Sequence, residues 1–215
     1  EPADAARMAV ASGCQTIKIK VGDASGFTRV AAVREALPDA RLRVDVNGGW
    51  TLDEAIEQLH VLRVLDLEYA EQPVRSLDDM ARLRSAVDVP LAADELIRID
   101  RRFGDVRQAA DVAVLKVAPL GGVGATLDVA ARVGLPVVIS SALDSSMGLA
   151  ASVAAACALP EAPLACGLGT GLLFAQDTTA ALVPTEGRIE YLGYPEPGDF
   201  EPAWQDSDYW RARIG

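Results

Sequence analysis

Short apolar runs recur along this chain at a nearly constant interval, and each closes on a polar or small residue. The runs cover 16–21, 42–46, 67–70, 91–93, 112–117, 137–141 and 164–168. The closing residues are Lys20, Asp45, Glu71, Asp94, Lys116, Ser141 and Gly167, at intervals of 25, 26, 23, 22, 25 and 26. Helical patterns fill the gaps. Thr51-Leu-Asp-Glu54 reads as a capping box, followed by Leu52, Ala55, Ile56, Leu59 and Leu62 at helical spacing. Ser76-Leu-Asp-Asp79 opens another helix with Met80, Leu83 and Val87 on one face, and Gly13, Gly104 and Gly134 sit where helices should end. Strand and helix in regular alternation mean parallel pairing with right-handed crossovers. A doubly wound sheet would gather its polar strand ends at one switch point. Here nearly every strand has one, as at the catalytic face of a (β/α) barrel of the TIM type, and the α/β barrel is the expected fold.

An eight-stranded barrel needs roughly 250 residues, and the chain has 215. It opens on Glu1-Pro2 and a helical stretch to Gly13, and Pro2 suits a first helical turn. The expectation is that strand one is lacking and that the seven runs are strands two to eight, in a barrel domain over residues 1–190. Residues 191–215, rich in Pro and Gly, are expected to run over the surface, against an upstream partner domain of the same protein.

Composition narrows the partners. Half of the residues are hydrophobic, enough for a sizeable core, and the formal net charge is −11. Nucleic acid and anionic membranes require basic patches, so neither is expected. A small anionic substrate stays compatible, because a bound cation inverts the charge locally. No apolar run approaches the ~20 residues of a membrane span. Cys14, Cys157 and Cys166 are odd in number, lie in apolar surroundings and show no CxxC spacing. They read as buried reduced thiols of a cytoplasmic protein.

The strand ends carry the chemistry. In Thr16-Ile-Lys-Ile-Lys-Val21, Ile17, Ile19 and Val21 face one side, and Lys18 and Lys20 the other, toward the barrel interior. Flanking helical patterns disfavour the alternative of an edge strand with a solvated lysine face. Asp45 and Asn47 share a face on the next strand, and Glu71 and Asp94 close the two that follow. Each acid alone could be a helix cap or a solvated loop residue. Together they are three carboxylates at one height on adjacent strands about 4.8 Å apart, and they repel unless a cation sits among them. All-oxygen ligation suits Mg²⁺, or Mn²⁺ in its place. Strand parity turns Glu95 away from Asp94, leaving it to support the ligands from behind. Lys116 ends the sixth strand on the inward parity of Val112 and Val114. It stands four strands from Lys20, across the mouth of an eight-stranded ring. A lysine beside a metal and a second ammonium has its charged form disfavoured, which favours a base.

The sole histidine, His60, lies off the apolar stripe of its helix, so no mechanism here rests on histidine. Gly121-Gly-Val-Gly124 and Gly167-Leu-Gly-Thr-Gly171 are weak phosphate-loop signals. Ser140, Ser141, Ser145 and Ser146 could hold a substrate carboxylate, and helix capping explains them equally.

Taken in order, Lys18-Ile-Lys20, Asp45-Val-Asn47, Glu71, Asp94-Glu95 and Lys116 resemble the enolase superfamily, muconate-lactonizing subgroup. The resemblance implies abstraction of a proton α to a carboxylate, a Mg²⁺ site of Asp45, Glu71 and Asp94, and Lys20 and Lys116 on opposite faces of an enediolate. Lys18 would tune Lys20. It also implies an N-terminal α+β capping domain of roughly a hundred residues, absent from this chain. Residues 140–146 and Gly167-Leu-Gly169 are most similar to subgroup members that dehydrate a cyclohexadiene carboxylate to an aromatic product in menaquinone synthesis. In these, Lys20 removes the α-proton and then assists departure of hydroxide from the same face, while Lys116 stays cationic. Ser140, Ser141, Asn47 and Gly169 would then contact substrate. An N-acylamino acid racemase or cycloisomerase using both lysines is the competing enzyme reading. A non-catalytic barrel fragment competes from another class, and a Schiff-base aldolase built on Lys116 is weaker.

Overall fold

Alternation along the strands sorts the apolar side chains into two populations, one on each face of a single parallel sheet. The computed structural model describes residues 1–177 and 179–196. Its elements run α1 (Pro2–Ala11), β1 (Thr16–Lys20), α2 (Gly26–Ala36), β2 (Arg41–Asp45), α3 (Leu52–Leu62), β3 (Leu67–Glu71), α4 (Leu77–Arg84), β4 (Leu91–Ala93), α5 (Glu95–Asp100), α6 (Val106–Ala109), β5 (Val112–Leu115), α7 (Val117–Leu120), α8 (Val123–Val133), β6 (Val137–Ile139) and α9 (Ser146–Ala158). All strand pairs are parallel, in the order β1-β2-β3-β4-β5-β6. Ile19, Leu42, Val44, Ala70, Leu91, Ala93, Ala113, Leu115, Val137 and Ile139 pack outward against the helices in the main core. Tyr69, Ala92, Val112, Val114 and Val138, with Leu164 against them, form a smaller core on the inner face.

The helices start where their sequences allow. Thr51 accepts from the Glu54 N–H at 3.3 Å, and the Glu54 carboxylate accepts from the Thr51 N–H at 2.8 Å, closing the capping box of α3. Ser76 caps α4 through the Asp79 N–H. Gly134 ends α8 in the left-handed region, at φ +63°. Among the described residues, no helix is long and apolar enough to cross a membrane.

Curling of the sheet follows from one side chain. Arg43 of β2 donates to the carbonyl of Ala165 at 2.7 Å, in the segment that lies beyond β6. Five strand steps in a flat sheet would put them roughly 24 Å apart. The sheet therefore bends round on itself as an incomplete barrel. The seventh expected run is less regular than its sequence suggests. Leu164 and Gly167 donate to Val137 and Ile139, and Gly167 accepts from Ser141, yet only Ser140 and Gly167 form a bridge. Ala165, between them, gives its carbonyl to Arg43 instead of to a neighbouring strand.

Two expectations need correction. The edge position disfavoured for the first strand is the one it occupies, since β1 pairs with β2 alone among the described strands; the helices beside it cover one face without covering its edge. The cysteines are free but not buried: Cys157 is exposed, and Cys14 and Cys166 are half-buried. Their apolar neighbours belong to helix faces and strand ends at the rim of the core. His60 is exposed, as its helical position implies. Of the expected C-terminal surface segment, residues 197–215 lie outside the described residues.

An open edge is a template for pairing. Residues 1–215 expressed alone are expected to self-associate, and sedimentation velocity would show species larger than a monomer. A monodisperse monomer with a cooperative melt would contradict this.

Candidate active site

The inward parity of β1, β2 and β3 brings Lys18, Lys20, Asp45 and Glu71 together, because the register pairs Lys20 with Asp45 and Asp45 with Glu71. The next step differs from the expected common height. Glu71 pairs with Ala92, so Asp94 stands two residues further along its strand, as the stagger of tilted barrel strands requires. Lys116 likewise follows the end of β5. Asp45, Glu71 and Asp94 are almost wholly buried.

In this structure the acids are neutralised by lysines. The Lys18 ammonium donates to Asp45 at 3.0 Å and to Glu71 at 2.9 Å, and Lys116 donates to Asp94 at 2.5 Å. Lys20 lies further out, with 76% of its side chain exposed and its Nζ 4.0 Å from Asp45. It donates to Asn47 Oδ1 at 2.6 Å, while Asn47 Nδ2 donates to Glu95 Oε1 at 3.2 Å. Asn47 adopts the left-handed backbone, φ +51°, and its N–H returns to Asp45 Oδ1. Glu95 Oε2 is buried with no hydrogen-bond partner.

Burial sets the electrostatics. It pushes the Glu71 carboxyl up to about 7, helped by the charges of Asp45 and Asp94 and opposed by Lys18. Burial also holds Asp94 above the usual carboxylate range, against the pull of Lys116. For Lys18 burial acts to lower the value, but Glu71 and Asp45 outweigh it and the ammonium is held above its ordinary value. An acid whose value is raised by folding stabilises the fold below its unfolded value of 4.5. That contribution disappears as pH climbs through the folded value near 7. Metal-free protein is therefore expected to lose stability, on the order of 3 kcal/mol from Glu71, between about pH 4.5 and 7. Urea unfolding in chelator at pH 5 and pH 8 would measure it. Glu71→Gln should flatten the dependence, and an unchanged slope in that variant would contradict the assignment.

The donor set suits a hard divalent cation: three buried carboxylates, all oxygen, with a fourth carrying an unpartnered oxygen next to Asp94. Among the described residues, no three acid, histidine or cysteine side chains are gathered closely enough to hold an ion as placed here. Lys18 bridges Asp45 and Glu71, Lys116 meets Asp94, and the two ammonium groups supply the positive charge a cation would.

The substrate side is mixed. Inside the barrel a cavity of about 210 Å³ is lined by Lys18, Arg43, Tyr69, Glu71, Ser140 and Gly167, among others. Arg43 and Tyr69 each leave one polar atom there without a partner. Ser141 is committed elsewhere, meeting Thr170 Oγ1 at 2.6 Å and accepting from the N–H groups of Leu143 and Asp144. Ser145 is the N-cap residue of α9, and Ser146 is buried against Asp177. Gly169 is exposed and opens a short 3₁₀ turn. A larger hollow of about 430 Å³ is lined by Leu127, Ala130, Pro136 and Leu159, with Glu161 its one acid; size alone does not mark the site. Arg43 went unnoticed in the sequence because an arginine inside a strand reads as solvent-facing. Its buried pairing with Glu68 and its stacking on Tyr69, 4.6 Å from the ring centre, come from the neighbouring strand, whose register sets Tyr69 opposite Arg43.

Comparison with known proteins places the chain in a family of the same fold. The chain is 50% identical over 195 residues to an o-succinylbenzoate synthase of Thermobifida fusca, covering 86% of this chain and 62% of that protein. It thus spans about three-fifths of the relative's length. The muconate cycloisomerase of Pseudomonas fluorescens superposes with a TM-score of 0.83 at 28% identity, over 90% of this chain and 57% of that one. A dipeptide epimerase of Cytophaga hutchinsonii, solved with Mg and the dipeptide D-Ala-L-Val, superposes with a TM-score of 0.79 at 28% identity, over 90% and 55% of the two chains. The family model described as enolase C-terminal domain-like matches residues 1–198, and the chain belongs to that family.

Proposed function

We propose that the protein containing this chain is a Mg²⁺-dependent dehydratase, an o-succinylbenzoate synthase of menaquinone biosynthesis, acting on a small anionic cyclohexadiene carboxylate. The observation that carries the reading is the arc of buried Asp45, Glu71 and Asp94 flanked by Lys20 at one end and Lys116 at the other. Half-identity to the Thermobifida synthase supports the choice of substrate.

Asp45, Glu71 and Asp94 would hold the cation, which supplies positive charge where the substrate carboxylate gathers negative charge on losing its α-proton. Lys20, exposed enough to meet a substrate and steered by Asn47, takes that proton on Nζ. The C–H electron pair moves into the enediolate, and then into the ring as the C–O bond breaks. Lys20 returns the proton to the departing hydroxide, so water leaves and the ring becomes aromatic. Lys116, a half-buried ammonium at 20% exposure, stays charged and faces the anionic ring. Lys18 keeps Asp45 and Glu71 neutralised until a cation enters. Ser140 and Gly167, in the interior cavity, are better placed than Ser141 to meet the substrate's far end.

The test is direct. The whole protein with Mg²⁺ should convert the cyclohexadiene carboxylate to an aromatic product, followed by ultraviolet absorbance, and excess chelator should stop it. Turnover that persists in chelator would remove the metal from the reading.

A further inference from the structure

Gln72 follows Glu71 directly and is buried, with a backbone that side chains rarely adopt, φ +43°. A non-glycine residue held there is costly unless its surroundings require it. Gln72 satisfies every polar group it has. Its side-chain oxygen accepts from the N–H of Asp94 at 3.0 Å and from the N–H of Leu96 at 3.2 Å. Its side-chain amide donates to the Val74 carbonyl at 2.7 Å. Its own N–H donates to Ala92, and its carbonyl accepts from Gly48. One residue thus ties together the ends of β2, β3 and β4, the three strands whose tips carry Asp45, Glu71 and Asp94.

We infer that Gln72 is a positioning residue for the metal centre. It fixes the backbone turn on which Asp94 is mounted, so that only the side chain has to move when a cation enters. The left-handed backbone is what turns the side chain of a residue next to Glu71 across to the β4 end. Its own helix holds Asp94 through one bond only, from the Ile97 N–H to the Asp94 carbonyl at 3.0 Å, since α5 is short and the Asp94 side chain makes no cap. The two N–H groups at its start are met by Gln72 instead. The inference rests on the proposed metal site, and groups that orient metal ligands from behind typically change affinity 10–100-fold when removed.

The experiment titrates the whole protein with Mn²⁺ alone, counting free ion by electron paramagnetic resonance, with circular dichroism to confirm folding. Gln72→Met keeps the length but removes the acceptor. Gln72→Asn tolerates the left-handed backbone but is too short to reach β4. Gln72→Glu keeps an acceptor oxygen for both N–H groups. Met and Asn variants are expected to bind Mn²⁺ about 10–100-fold more weakly, with Glu within about threefold of the parent. If Gln72→Met does not fold, the Asn variant carries the comparison. Parental affinity in a folded Met or Asn variant, or a Glu variant as weak as Met, would overturn the role given to Gln72. Parent and Asp94→Asn serve as the reference pair. A parent that fails to bind Mn²⁺, or binds it no better than Asp94→Asn, removes the metal site itself and this inference with it.

Discussion

Asp45→Asn, Glu71→Gln and Asp94→Asn are each expected to lower kcat/KM of the whole protein roughly 10³-fold or more while leaving it folded. Each amide keeps the shape of the acid but removes a negative charge from a cation site. The accompanying stability change separates this from general damage. Three buried carboxylates repel one another in the metal-free state. Glu71, pushed up to about 7, is the one whose ionisation costs most. Glu71→Gln should therefore unfold at the same or higher urea concentration than the parent at pH 8 in chelator, with its activity lost. A variant that retains activity, or loses it only by unfolding, would contradict the assignment.

The second large effect divides the labour between the two lysines. A dehydratase that removes a proton and expels hydroxide from one face needs one base, and the opposite lysine serves as a cation. Arginine keeps the charge but is not deprotonated under these conditions. Lys20→Arg is expected to fall to background, a loss of roughly 10⁴-fold where a general base is removed. Lys116→Arg should retain measurable turnover, reduced by the bulk of a guanidinium beside Asp94. In a racemase, where protons are removed and delivered on opposite faces, both variants would fall to background. Single-turnover rates of the two variants at saturating Mg²⁺ distinguish the cases.

Much of this was readable in the chain because a parallel barrel repeats one unit and writes the same signal at each strand end. The first six apolar runs became strands, and the polar residues that close the first five lie on the inward parity; Ser141, which closes the sixth, has the outward parity of Val137 and Ile139. Lys20, Asp45 and Glu71 share a row because their strands pair in register. What escaped was set by the third dimension. Asp94 stands two residues beyond that row through strand stagger, which intervals along a sequence do not reveal. Gln72 looked like an ordinary residue after Glu71; only its left-handed backbone sends the side chain to the next strand. The seventh run is irregular, with Leu164 and Gly167 three residues apart bonding Val137 and Ile139 two apart, and the carbonyl of Ala165 between them goes to Arg43 across a curled sheet. That Lys18 and Lys20 share one face of their strand was legible, but not that Lys18 would itself bridge Asp45 and Glu71.

Proton NMR of the whole protein with Mg²⁺ in D₂O tests the central claim most directly, with the cyclohexadiene carboxylate in one sample and each enantiomer of an N-succinylamino acid in two others. The proposed function predicts aromatic resonances growing in the first sample, abolished by Lys20→Arg and by Glu71→Gln. Rapid loss of the α-proton signal from both enantiomers, with no aromatic product from the diene, would contradict it and make the protein a racemase.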